Sequence, residues 1–241
     1  MSPAGTPAGQ AAALAAAVRR INSVLVGRPL DADALAEATA AVAAVADRLE
    51  AAAGPGKLPR GDPAPGDGAR NLFPTSPVIG RANPVAPPVE IWSVDGDGGR
   101  PELRGRAWFD YPYEGPPTCV HGGVIASVFD ELLGAANIVA GTPGMTGTLT
   151  VVYRRPTPIL TPLDLVARQT GVDGRKIRAS AAIYHNGELT AEADGVFVAV
   201  DAGTIARIAT ENARAAGGDV VDADLAADIE RAQIARVRPS Q

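Results

Sequence analysis

The chain has 241 residues, with 22 Lys plus Arg against 27 Asp plus Glu and a formal net charge of −5. That acidic balance argues against non-specific nucleic-acid binding, which needs a basic surface to neutralise phosphates. At 46% hydrophobic and 20% charged residues, the composition is that of a globular chain able to build a core. Cys119 is the single cysteine, so neither an intrachain disulfide nor a cysteine cluster for zinc is possible. The first ten residues carry no Lys or Arg to form a secretory n-region. No uninterrupted apolar run approaches the roughly 20 residues that span a bilayer. The expectation is a cytoplasmic protein with neither membrane nor nucleic acid as partner.

Residues 1–53 read as a helical extension. Leu14, Val18, Ile21 and Leu25 recur on one helical face, and Arg28-Pro29 ends that run. Asp31 or Asp33 can cap a second helix whose apolar positions are Leu35, Val42, Val45 and Leu49. The two predict a helical hairpin, packed on the main domain or on another copy of the chain. Residues 54–71 are rich in Gly and Pro and read as a linker.

Residues 72–201 read as one α+β domain: strand, strand, helix, then four strands. Val89–Val94 and Glu102–Phe109 are strand-like around a Gly/Asp turn. A helix lies within Thr118 to Ala140, and Met145–Arg155 alternates toward a strand that Pro156 stops. Leu163–Thr170, Lys176–Tyr184 and Glu188–Val200 are joined by Asp173-Gly174 and Asn186-Gly187, whose positive-φ geometry matches strand twist. Residues 202–241 read as a helical tail.

The stretch from Cys119 to Ala140 is apolar nearly all round, which predicts a helix buried on every side. It nevertheless contains Asp130 and Glu131, and a buried carboxylate is costly unless it is paired or put to use. His121-Gly122-Gly123 opens the helix, where unobstructed N–H groups at the positive end of the dipole suit an oxyanion. Apolar surroundings are expected to raise the Asp130 pKa and its basicity.

His121-Gly-Gly-Val-Ile-Ala-Ser-Val-Phe-Asp130-Glu131, followed by Thr146-Gly-Thr-Leu-Thr-Val-Val-Tyr-Arg-Arg-Pro156 and Gly174-Arg175-Lys176, resembles the hotdog-fold acyl-CoA thioesterases of the PaaI-like group, in the 4-hydroxybenzoyl-CoA thioesterase-like superfamily. The resemblance covers about residues 72–200. It implies a long central helix wrapped by a curved antiparallel sheet, with two chains pairing so that their sheets join. It implies that the Gly122 N–H polarises the thioester carbonyl and that Asp130 is the nucleophile or the general base. Thr146 would orient the water or the carboxylate; His121 at the helix entrance could be a base, and the resemblance implies instead that it fixes the loop before the glycines. Where many relatives place an Asn, six residues before the His, this chain has Gly115, as in a subgroup with Gly-Pro-Pro at that point. Coenzyme A enters as part of the substrate, with no metal or redox cofactor.

Spacing bears on the assembly. Gly122 and Asp130 are eight residues apart, about 12 Å along a helix axis, too far for both to reach one carbonyl from the same helix. A catalytic assignment therefore implies a homodimer, alone or as a dimer of dimers. Glu131 points about 100° away from Asp130 and is a second candidate for catalysis or an interface. Arg154, Arg155, Arg175, Lys176 and Arg178, with Tyr153 and Gly123, are candidates for holding coenzyme A and its phosphates; ordinary solvated strand edges would carry the same charges. Two other classes fit the fold: a non-catalytic binder of acyl-CoA or acyl carrier, and a dehydratase or hydratase. The latter wants a His on the reacting carbon, for which His121 is poorly placed.

Overall fold

The computed structural model describes residues 5–54 and 72–201, with isolated positions between 203 and 211. The linker from 55 onward and the expected helical tail otherwise lie outside the described residues. Helix α1 (Pro7–Gly27) starts with Pro7 in its first turn, and the Thr6 hydroxyl accepts the Gly9 N–H at 3.2 Å. Helix α2 (Ala32–Ala52) is capped by Asp31, whose carboxylate accepts the Ala34 N–H at 2.8 Å. Each cap satisfies one of the N–H groups that a helix start leaves without a partner.

Strands β1 (Val89–Asp95) and β2 (Pro101–Trp108) precede helix α3 (Gly122–Val139). Strands β3 (Gly144–Tyr153), β4 (Pro162–Asp173), β5 (Lys176–His185) and β6 (Glu188–Ala199) follow it. The sheet order is β1-β2-β4-β5-β6-β3, with every neighbouring pair antiparallel. The β4–β5 and β5–β6 hairpins close on Gly174 at φ 55°, and on Asn186 and Gly187 at φ 51° and 80°. These are the Asp-Gly and Asn-Gly turns that the sequence marks.

Helix α3 lies across one face of this sheet and fills its core. Phe109, Phe129, Phe197, Leu132, Leu133 and Leu163 are all fully buried there. Each is worth about 1.5–3 kcal/mol of transfer free energy, which fixes the helix against the strands. The expected burial on every side is not what one chain shows. Ile125, Val128, Phe129 and Leu132 are buried, but Ser127 is exposed and Gly122, Ala126, Asp130 and Glu131 are only half-buried. The sheet covers one side of α3 and leaves the side bearing the carboxylates open.

The N-terminal helices differ from a packed hairpin. Helix α1 rests on a one-turn 3-10 helix at Tyr111–Tyr113, where a Cβ on Gly27 would collide with the Tyr111 ring. The Arg19 guanidinium donates to the carbonyls of Asn83 at 2.8 Å and Arg81 at 3.3 Å. Helix α2 has no buried residue and does not pack along α1.

Candidate active site

The start of α3 is held from three directions. His121 caps it, its Nδ1 accepting the Gly123 N–H at 3.0 Å. The His121 N–H donates to the Tyr113 carbonyl at 2.8 Å. The Tyr153 hydroxyl donates to the Gly122 carbonyl at 2.8 Å. Burial pushes the Tyr113 phenol above its ordinary pKa, and its hydroxyl donates to the Val85 carbonyl at 3.1 Å. Of the two glycines, Gly123 has its N–H taken by His121. Among the described residues the Gly122 N–H has no hydrogen-bond partner.

Two turns along the helix, Asp130 meets the sheet. The Thr146 hydroxyl donates to Asp130 Oδ1 at 2.7 Å. This contact depends on an irregularity in β3. Thr146 pairs with Phe197 and Thr148 with Val196, so Gly147 is an extra residue in the ladder. Residues opposite one another in an antiparallel ladder share a face, so Leu149, Val151 and Tyr153 face inward with buried Gly195, Ala193 and Ala191. Strict alternation would turn Thr146 outward; the bulge at Gly147 changes the parity and aims it at Asp130.

The four residues thus form two contacts toward opposite ends of β3, Asp130 at the middle of α3 with Thr146 and Gly122 at its start with Tyr153. Strand β3 is also the outer strand of the sheet, and Thr146, Thr148 and Thr150 on it are exposed. Gly115, where the resembling family often has Asn, has no room for a side chain: a Cβ there would lie 2.7 Å from His121 Cα. Its N–H closes a tight loop onto the Cys119 carbonyl at 2.9 Å.

No family model matches the chain. A solved thioesterase superfamily protein is 34% identical and superposes with a TM-score of 0.70, covering 82% of this chain and 97% of that one. The chain belongs to the thioesterase superfamily. It is also similar to the acyl-coenzyme A thioesterases THEM4 of Mus musculus, 33% identical over 90 residues, and of Xenopus laevis, 34% identical over 90 residues. Those matches cover 36% of this chain in each case, and 39% and 40% of the relatives, so the chain spans about two-fifths of the curated relatives' length.

Within this superfamily fold the predicted basic cluster separates into two groups. Arg154 and Arg155 sit beside Thr190 at the start of β6, and Arg175 beside Ala199 at its end, about 30 Å away along an extended strand. Arg154 Nε donates to Glu192 at 2.8 Å, and Arg155 pairs with Glu188 at 3.2 Å. Lys176 and Arg178 are exposed on β5. Tyr153 does not lean on this basic surface; its hydroxyl is committed to Gly122. Sequence reasoning missed that commitment and both glutamates, because partners on β6 follow from strand register and no local motif marks them. Glu131 is half-buried beside Asp130. A concavity of about 680 Å³ runs over the outer face of the sheet past Arg104, Arg106 and Tyr184, and none of the candidate residues lines it.

Proposed function

We propose that the chain hydrolyses acyl-CoA thioesters at sites built between two copies. The observation that carries this is the Thr146–Asp130 hydrogen bond at the middle of α3, with the Gly122 N–H left without a partner at its start. Pairing two copies antiparallel through β3 sets the Tyr153 end of one strand beside the Thr146 end of the other. Gly122 of the partner subunit then approaches Asp130, which one chain alone cannot arrange.

In such a site the thioester carbonyl, already electrophilic, is polarised by the Gly122 N–H at the positive end of α3. Asp130, with Thr146 on Oδ1, keeps Oδ2 for the proton of an attacking water. The water oxygen bonds to the carbonyl carbon, the carbon–sulfur bond breaks, and the proton held on Asp130 passes to the leaving sulfur, so that the products are a carboxylic acid and coenzyme A and the carboxylate is regenerated. His121 and Tyr153 are positioning residues: they hold the first turn of α3 in place. The same strand pairing brings Arg154 and Arg155 toward Arg175 and Lys176 of the partner subunit, which assembles a basic edge for the coenzyme A phosphates. The chemistry calls for no metal or redox cofactor.

The test is free-thiol release from short, long and aromatic acyl-CoAs by the wild type and Asp130→Asn. Turnover by the wild type with at least a ~100-fold loss in the variant is expected for removal of the catalytic carboxylate. If the wild type binds CoA esters and releases no thiol from any of them, the non-catalytic binding reading replaces this one.

A further inference from the structure

Helix α1 meets the domain at few points, and one of them leads to the start of α3. Among the described residues, Arg19 is the side chain of α1 that hydrogen-bonds the domain, donating to the Asn83 and Arg81 carbonyls at 2.8 and 3.3 Å. The planar guanidinium fork spans two carbonyls of one turn, which a single ammonium does not. Asn83 passes the contact on: its Oδ1 accepts the Val85 N–H at 3.0 Å. The Val85 carbonyl accepts the Tyr113 hydroxyl at 3.1 Å. The Tyr113 carbonyl in turn accepts the His121 N–H at 2.8 Å, and His121 caps α3. Burial raises the Tyr113 phenol pKa and the Arg19 charge opposes that rise, so the guanidinium lies near the phenol as well as the carbonyls.

We infer that Arg19 is a positioning residue: through Asn83, Val85 and Tyr113 it fixes the first turn of α3, and with it the aim of the Gly122 N–H. The turn at Tyr111–Tyr113 needs such a brace, because one turn of 3-10 helix has poor hydrogen-bond geometry and little hold of its own. The Tyr113 ring packs edge-on against Phe109, with centroids 6.0 Å apart. Its hydroxyl is the second anchor, and that anchor ends on Val85, which is 65% exposed and is steadied through Asn83. At the far end of α1, Gly27 seats against the Tyr111 ring of the same turn. An oxyanion donor tolerates little error in aim: a displacement of about 1 Å costs up to ~100-fold in rate. Its contact strengthens in the transition state, so a misaimed donor lowers kcat more than it raises KM. The effect on kcat rests on the hydrolase reading; the coupling of Arg19 to His121 does not.

The chain has two histidines, so heavy-nitrogen histidine labels two backbone amides, His121 and His185, told apart in His185→Gln. Hydrogen exchange at the His121 amide reads the hold of the Tyr113 carbonyl directly. In full-length Arg19→Met that exchange should quicken at least ~tenfold with His185 unchanged. Tyr113→Phe keeps the ring and loses the hydroxyl, and should do the same. The double variant should go no further than the larger single change, as two breaks in one path do. Arg20→Met, at an exposed neighbour, should match the wild type. An unmoved His121 amide in folded Arg19→Met, equal quickening at His185, or additive changes in the double variant overturns the proposal. In thiol release from acyl-CoA, Arg19→Met should lower kcat about tenfold at nearly constant KM; an unchanged kcat overturns the positioning role. A wild type that releases no thiol sinks the hydrolase reading alone, and the amide exchange still decides whether Arg19 holds the start of α3.

Discussion

Asp130 and Thr146 are coupled through one hydrogen bond, and the hydroxyl rather than the bulk of Thr146 supplies it. Thr146→Ser keeps the donor, whereas Thr146→Ala leaves Oδ1 without it at a half-buried position. A charge-assisted hydrogen bond is worth about 1.5–3 kcal/mol. Thr146→Ala should therefore lower kcat about 10- to 100-fold, with Thr146→Ser near the wild type, in steady-state thiol release. Equal losses in both variants would mean that shape matters there and the proton donor does not. At this scale the sequence was informative about identity: His121, Gly122, Asp130 and Thr146 stand out by motif. It was silent on commitments. Whether the Gly122 or the Gly123 N–H remains available depends on the direction His121 Nδ1 faces as a cap, which no spacing encodes.

Among the elements, the two turns and the helix were legible because Asp-Gly, Asn-Gly and a long apolar run are local signals. The sheet order and the parity of β3 were not, since both arise from pairing with β6. Reading Met145 to Arg155 as simple alternation puts Thr146 on the same side as Thr148 and Thr150, away from the helix. The Gly147 bulge reverses that. Deleting Gly147, the extra residue, should restore regular pairing with Thr146 still opposite Phe197 on the inner face. The expected result is thiol release near that of the wild type, with an unchanged far-ultraviolet spectrum. Activity as low as that of Thr146→Ala in a folded deletion variant would show that the kink of the bulge, and not the parity alone, aims Thr146. Helix α3 makes the same point about burial: its composition suggests a wholly enclosed helix, and one sheet encloses one side.

For the whole molecule, the basic residues are separated along β6, and the proposed pairing of two copies would join them into one surface. Arg175→Ala/Lys176→Ala should raise KM for acyl-CoA several-fold while leaving acyl-pantetheine, which lacks the nucleotide phosphates, unaffected; equal effects on both substrates would count against a phosphate contact. The eight-residue separation of Gly122 and Asp130 has a genetic counterpart. Gly122→Pro removes that N–H at a first helical position where proline is accepted, with the exposed Tyr153 hydroxyl 3.3 Å from the new Cβ needing to shift by a few tenths of an ångström. Gly122→Pro and Asp130→Asn should each be inactive alone. Coexpressed, they should form hybrid dimers under the proposed assembly, in which both lesions fall in one site and the other site is intact. Random pairing predicts recovery of about a quarter of wild-type turnover. Two dead alleles would complement each other, and a site contained within a single chain could never let them.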